Sequence, residues 1–165
     1  MKTAIDSNIL FYLLLQHPVF ARPVRDALNA ALAVGSVVVC PVVYAELAAA
    51  FGDGSEELGR LLRDLAIQLE PFTPASLHQA GQGWKAYVRN RGRQVECSQC
   101  GHRFDVACPA CQQGVAWPQH MIPDFLVGAH ALVQAEALLT NDRGYYRKYF
   151  PQLTLQVPAP ADSPS

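Results

Sequence analysis

Short apolar segments that each run into a helical pattern constrain the fold of this chain more than any other feature. Residues 2–6 are an aliphatic strand stopped by Asp6, and the strong helix formers of 8–16 follow at once. The β-branched run 37–39 passes through Cys40 and Pro41 into a helical stretch over 42–51, with proline where a helix start tolerates it. A strand near 69–72 precedes a helix over 76–88, which carries Leu77, Ala80, Trp84 and Val88 on one side. Residues 137–140 form a last apolar strand that ends at Asn141-Asp142. Between these lie a helix over 24–33, closed by Gly35, and one over 55–69 with Leu58, Leu61, Leu62, Leu65 and Leu69 on one face. A further helix, capped by Asp124, runs to about residue 136. Strands alternating with helices predict an α/β fold: a parallel sheet covered by helices on both faces.

With 165 residues, 50% of them hydrophobic, the chain can bury one substantial core, and residues 1–157 are expected to form one domain. The tail PAPADSPS, 158–165, has the composition of a disordered segment. A net charge of −1 gives no global attraction for nucleic acid, so any RNA affinity has to come from a local patch or from bound cations. No apolar run approaches the roughly 20 residues that span a bilayer, and Asp6 and Asn8 interrupt the apolar N-terminus, so a cytoplasmic protein without membrane contact is expected.

Functional groups of parallel α/β sheets gather beyond the carboxyl ends of the strands. Asp6 and Asp142 follow strands, Asp124 opens a helix, and Glu46 lies about one turn into the helix after strand 37–39. Each has an ordinary explanation: a helix cap for Asp124, a turn residue for Asp142, an exposed helix position for Glu46. Glu46 and Asp6 nevertheless sit among apolar residues, with no Lys or Arg in their segments to compensate them. Four carboxylates at one sheet edge would repel one another without a cation, and hard oxygen ligands suit Mg²⁺ or Mn²⁺. The chemistry that fits is metal-assisted phosphodiester hydrolysis, with Asn8 and Thr140 placed to hydrogen-bond the carboxylates.

Residues 4–10 (AIDSNIL), 43–47 (VYAEL), 122–131 (IPDFLVGAHA) and 138–146 (LLTNDRGYY) resemble, in order and spacing, the motifs of PIN-domain ribonucleases, particularly VapC-like toxins of toxin–antitoxin pairs. The resemblance covers 1–157 apart from a cysteine-bearing insertion. It implies a PIN-like fold and an endoribonuclease dependent on Mg²⁺ or Mn²⁺, with Asp6, Glu46, Asp124 and Asp142 as its metal-binding quartet. For VapC-like toxins it further implies a homodimer and a cognate antitoxin. Two other readings stay open: an RNA-maturation nuclease of the same family, acting in ribosomal RNA processing, and a non-catalytic zinc-containing RNA-binding module.

From 92 to 118, cysteine, glycine and proline replace amphipathic periodicity. Cys97 and Cys100 form one C-x-x-C pair and Cys108 and Cys111 a second. Four thiolates so spaced favour tetrahedral, structural Zn²⁺, with a disulfide and an iron centre as the alternatives. Compact VapC-like proteins lack this insertion; here it enters just before Asp124, and Lys85, Arg89, Arg91 and Arg93 lead into it. Those cations suit either RNA positioning or an ordinary helix C-terminus. Cys40 reads as a small buried residue and His130 as a packing residue, while Tyr145, Tyr146, Tyr149 and Phe150 suit either base stacking or packing of the C-terminal segment.

Overall fold

The computed structural model describes residues 1–51, 55–90, 94–96, 102–115 and 122–158. Its main sheet has five strands, all parallel, in the order β3-β2-β1-β6-β7. The strands are β1 (Lys2–Ile5), β2 (Ser36–Val39), β3 (Ile67–Leu69), β6 (Ala137–Leu139) and β7 (Leu155–Gln156). Helices α1 (Ser7–Leu14), α2 (Ala21–Val34), α3 (Pro41–Phe51), α4 (Ser55–Asp64), α5 (Pro74–Asn90), α6 (Ile122–Gln134) and α7 (Arg143–Tyr149) flank it. A separate antiparallel pair, β4 (Val95–Glu96) and β5 (Arg103–Phe104), lies between α5 and α6. Every residue of β6, and all but the first of β1 and β2, is buried. Successive strand side chains face opposite ways, so both faces of the central sheet are covered.

The α/β architecture is thus the one expected, and the differences are local. The predicted helix over 55–69 stops at Asp64 because Ala66 turns left-handed, φ 55°. Ile67–Leu69 then pairs with β2 as β3, which replaces the strand expected at 69–72. Leu58 and Leu62 are buried as the helical face requires, whereas Leu69 is 49% exposed. Helix α6 starts at Ile122, so Asp124 sits inside its first turn and does not cap it. Helix α7 and strand β7 are additions to the predicted elements. The expected tail lies, beyond Pro158, outside the described residues. No helix among the described residues is long and apolar enough to cross a membrane.

Register positions the site. Ile5 pairs with Leu139, and the ladder continues one step further, where Asp6 N donates to Leu139 O at 3.0 Å. Val39 pairs with Leu69, and Thr140 N reaches Gln156 O at 3.0 Å. The residues just past these strands, Asp6, Cys40 and Thr140, therefore share one sheet edge.

Candidate active site

Asp6 leaves the central strand at this edge and is 8% exposed. Its Oδ2 accepts from Thr140 Oγ1 at 2.7 Å and from Asn8 Nδ2 at 2.8 Å, and Asn8 Nδ2 also lies 3.2 Å from Thr140 Oγ1. Ser7 Oγ is 3.4 Å from Oδ1, and the Tyr146 hydroxyl bonds the same carboxylate. All these partners are neutral. Burial raises the Asp6 pKa, the bonds from Thr140 and Tyr146 pull it back, and the charges of Glu46 and Asp124 add to the rise. Asp6 therefore feels the charges of both other acids across the edge.

Glu46 comes from α3, which follows β2, the strand beside β1. It is half-buried, and its charge also raises the pKa of buried Cys40, where burial is the larger cause. Asp124 comes from α6 and is held by its neighbour in sequence. Phe125 is fully buried and meets the rings of Trp84, Tyr87, Tyr145, Tyr149 and Phe150 at centroid distances of 5.3–6.2 Å. Behind it, Phe150 lies so close to Gly128 that a Cβ there would stand 2.3 Å from the ring. The aromatic run of 145–150 thus serves mainly as packing, with Tyr145, Tyr146 and Phe150 buried.

Asp142 is exposed and caps α7, its Oδ1 accepting from Tyr145 N at 3.0 Å. Its own N–H donates to Thr140 Oγ1 at 3.0 Å. It reaches the same neighbourhood as Asp124: burial raises the Tyr145 pKa well above its ordinary range, and both carboxylates add to that shift.

The four predicted acids thus come from one end of the sheet, Glu46 from the middle of α3, Asp124 from the first turn of α6 and Asp6 and Asp142 from the positions just before α1 and α7, with Asn8 and Thr140 on Asp6. Among the described residues, however, no three His, Cys, Asp or Glu side chains form a ready-made metal cluster. The donor set fits a hard divalent cation by chemistry: a buried carboxylate without a cationic partner among the described residues, pressed by two further acids. Tyr146 is the contact that sequence reasoning missed; its only signal is membership of the aromatic run.

His130 is buried, 5.9 Å by ring centroid from Phe72 and 3.5 Å from Glu70, whose other oxygen meets Lys2 Nζ at 2.7 Å. It packs away from the four acids. Cys97 and Cys100, with Arg91 and Arg93, lie outside the described residues, and Cys108 and Cys111 are free thiols.

A family model described as PIN domain matches residues 3–151. No curated protein matches the chain at the sequence level. Among solved structures, VapBC2 from Rickettsia felis bound to a promoter DNA fragment is similar at 16% identity and TM-score 0.61, over 95% of this chain and 98% of that one. DNA-bound VapBC from Salmonella typhimurium is similar at 12% identity and TM-score 0.62, over 96% and 99%. A toxin–antitoxin complex from Klebsiella pneumoniae is similar at 13% identity and TM-score 0.59, over 96% and 99%. At these identities the likeness is one of fold.

Proposed function

This chain belongs to the PIN-domain family, and we propose that it is a divalent-metal-dependent endoribonuclease, the toxin of a toxin–antitoxin pair. The observation that carries the chemistry is Asp6, a buried carboxylate with only neutral hydrogen-bond partners and two acids close enough to raise its pKa. Burying such a charge is costly unless a cation compensates it. Asp6, Glu46, Asp124 and Asp142 would hold Mg²⁺ or Mn²⁺, which when bound supplies the positive charge that activates water and stabilises the leaving oxygen.

The chain's own groups prepare that edge. Thr140 and Asn8 both bind Oδ2 of Asp6 and so fix the plane of its carboxylate. Phe125 anchors the first turn of α6, and with it Asp124, to a rigid aromatic cluster. The Asp142 cap ties α7 to the edge through Thr140. An RNA phosphodiester placed against these acids would meet no general base among the groups bound to Asp6. Its hydrolysis would depend on the cation.

The toxin assignment rests on the overall likeness to proteins solved as VapBC and toxin–antitoxin complexes, and it brings with it a cognate antitoxin and a homodimer. Purified protein is expected to cleave structured RNA with Mn²⁺, and Asp6→Asn or Asp124→Asn to abolish cleavage while circular dichroism stays unchanged. Retained cleavage in both variants would overturn the active-site reading. Expression is expected to arrest growth, and co-expression of a small protein encoded beside it to relieve the arrest. Cleavage without arrest would instead favour the RNA-maturation role.

A further inference from the structure

The last turn of α1 has no part in the cleavage proposed above, yet hydrogen bonds join it to the acidic edge. Asn8 and Tyr12 lie four positions apart and so share one face of α1, separated by one turn, about 5.4 Å of rise. Asn8 Nδ2 holds Asp6 Oδ2, and Asn8 Oδ1 accepts from Asn141 N at 3.2 Å. Asn141 Nδ2 in turn donates to the Tyr12 hydroxyl at 3.3 Å. Tyr12 is thereby tied to the connection between Thr140 and Asp142.

The chain that leaves α1 folds back on this tyrosine. Gln16 takes a left-handed φ of 49°, and the helix closes with Gln16 N donating to Leu13 O at 3.3 Å and His17 N donating to Tyr12 O at 2.9 Å. A left-handed residue just past a helix end permits this closure. His17 Nδ1 then accepts from the backbone N–H groups of Val19 and Phe20, at 3.2 and 3.3 Å. With Nδ1 as the acceptor, Nε2 carries the ring proton. Three rings come together as a result. Tyr12 stacks on Phe20 with centroids 4.9 Å apart, and His17 stands 4.9 Å from Tyr12 and 5.1 Å from Phe20.

Tyr12 and Phe20 give only part of their surface to the core, and all three rings are half-buried. Around them Leu15 is 72% exposed and Val19 is 49% exposed. In the aromatic cluster around Phe125, by contrast, Tyr145, Tyr146 and Phe150 are buried. The turn after α1 therefore presents ring and aliphatic surface to water, one helical turn from the group that holds Asp6. Arg22, exposed two residues beyond Phe20, adds a positive charge. Ring surface, an N–H donor and a cation together match an unpaired nucleobase with its neighbouring phosphate. The bases of a duplex are stacked on one another and are not splayed out to meet such a surface.

We propose that Tyr12, His17 and Phe20 form a stacking subsite for an unpaired base of the RNA strand whose phosphodiester lies at the acidic edge. The inference rests on the nuclease reading for its substrate and adds no group to the cleavage step. Aromatic stacking tolerates any base, so the subsite selects unpaired over paired nucleotides and not one base over another.

The test uses the full chain and a short oligouridylate that carries a single 2-aminopurine, whose fluorescence falls when an aromatic ring stacks on it. Quenching is read on mixing, with and without Mn²⁺, so it does not depend on cleavage. It is expected with the wild type and the single strand, and not with the strand annealed to its complement. Tyr12→Leu and Phe20→Leu should lose the quench and weaken binding roughly 5–100-fold, the range for removing the aromatic partner of one base. Tyr12→Phe keeps the ring and should recover most of the loss seen in Tyr12→Leu. In cleavage assays the Leu variants should raise KM with kcat nearly kept. A fall in kcat at unchanged KM would assign the rings to support of Asn141 and overturn the subsite. An abasic nucleotide in place of the aminopurine should weaken wild-type binding by a similar factor, a readout that relies on no variant folding. Equal affinity for the abasic and intact strands, or for single strand and duplex, overturns the subsite even where RNA is cleaved. Quenching by a wild-type protein that cleaves no RNA would instead keep the subsite and overturn the nuclease reading.

Discussion

Thr140 donates its hydroxyl to Asp6 Oδ2 at 2.7 Å, across 134 positions of sequence, and both residues stand one step past paired strands. The same hydroxyl oxygen accepts from Asp142 N at 3.0 Å, so one small side chain links two of the four acids. Thr140→Val keeps the shape and removes the donor and the acceptor together. The loss should lower stability by about 1–3 kcal/mol, because Asp6 Oδ2, Asp142 N and Asn8 Nδ2 each lose a partner. It should also weaken Mn²⁺ binding about 10–100-fold, the range for losing a group that orients a ligand. Denaturant unfolding and a Mn²⁺ titration read the two effects, and Thr140→Ser should restore both. A Val variant that binds Mn²⁺ like the wild type would show that Thr140 does not orient Asp6.

Asp6 predicts a pH dependence. Burial, helped by Glu46 and Asp124, raises its carboxyl above the ordinary 3.8, so the folded chain holds this proton more tightly than the unfolded one. Asp6's contribution to stability is then fully present below 3.8 and is lost as pH rises through the folded value. Ionising this buried carboxylate as pH rises therefore carries a net cost. Asp6→Asn should therefore raise the melting temperature at neutral pH without divalent cations and cancel the rise that Mn²⁺ gives the wild type. Melting curves with and without Mn²⁺, from acid to neutral pH, test this; a variant still stabilised by Mn²⁺ as strongly as the wild type would count against Asp6 as a ligand.

Asp142 has two separable roles. As the cap of α7 it accepts from Tyr145 N, and Asp142→Ala should cost about 1 kcal/mol. Asp142→Asn keeps a capping oxygen and removes the charge. It should unfold nearly like the wild type and yet cleave RNA more slowly. Equal cleavage by the Asn variant and the wild type would leave Asp142 with the cap alone.

Gly128 tests the support of Asp124, one turn earlier on α6. Alanine is the better helix former by about 1 kcal/mol. Its Cβ, however, would meet the Phe150 ring at 2.3 Å inside a packed cluster, and overpacking costs about 1–3 kcal/mol. Net destabilisation is expected, with cleavage reduced as α6 shifts. Phe150→Leu in the same chain should recover part of the loss, a coupling that a double-mutant cycle measures.

Much of this molecule is local enough to read without coordinates. The alternation of strand and helix patterns, the acids beyond strand ends and the paired cysteines are properties of short segments. Boundaries moved where a backbone conformation intervened, as at Ala66, whose left-handed φ ends α4 and frees Ile67 to pair with Val37. Strand β7 had no legible pattern because two residues cannot show a period; backbone bonds to β6 define it, such as Thr140 N to Gln156 O.

The sequence by itself determined the α/β class, the acids and their order, because hydrophobic period and residue chemistry are written along the chain. Only the tertiary structure decided which groups share the edge. The parallel register of β1 against β6 sets Asp6 beside Thr140, and packing of Phe150 on Gly128 seats the aromatic run. It also turned Asp142 into a cap and brought the Tyr146 hydroxyl to Asp6. Such contacts join residues far apart in the chain, where no local pattern records which partner each will meet.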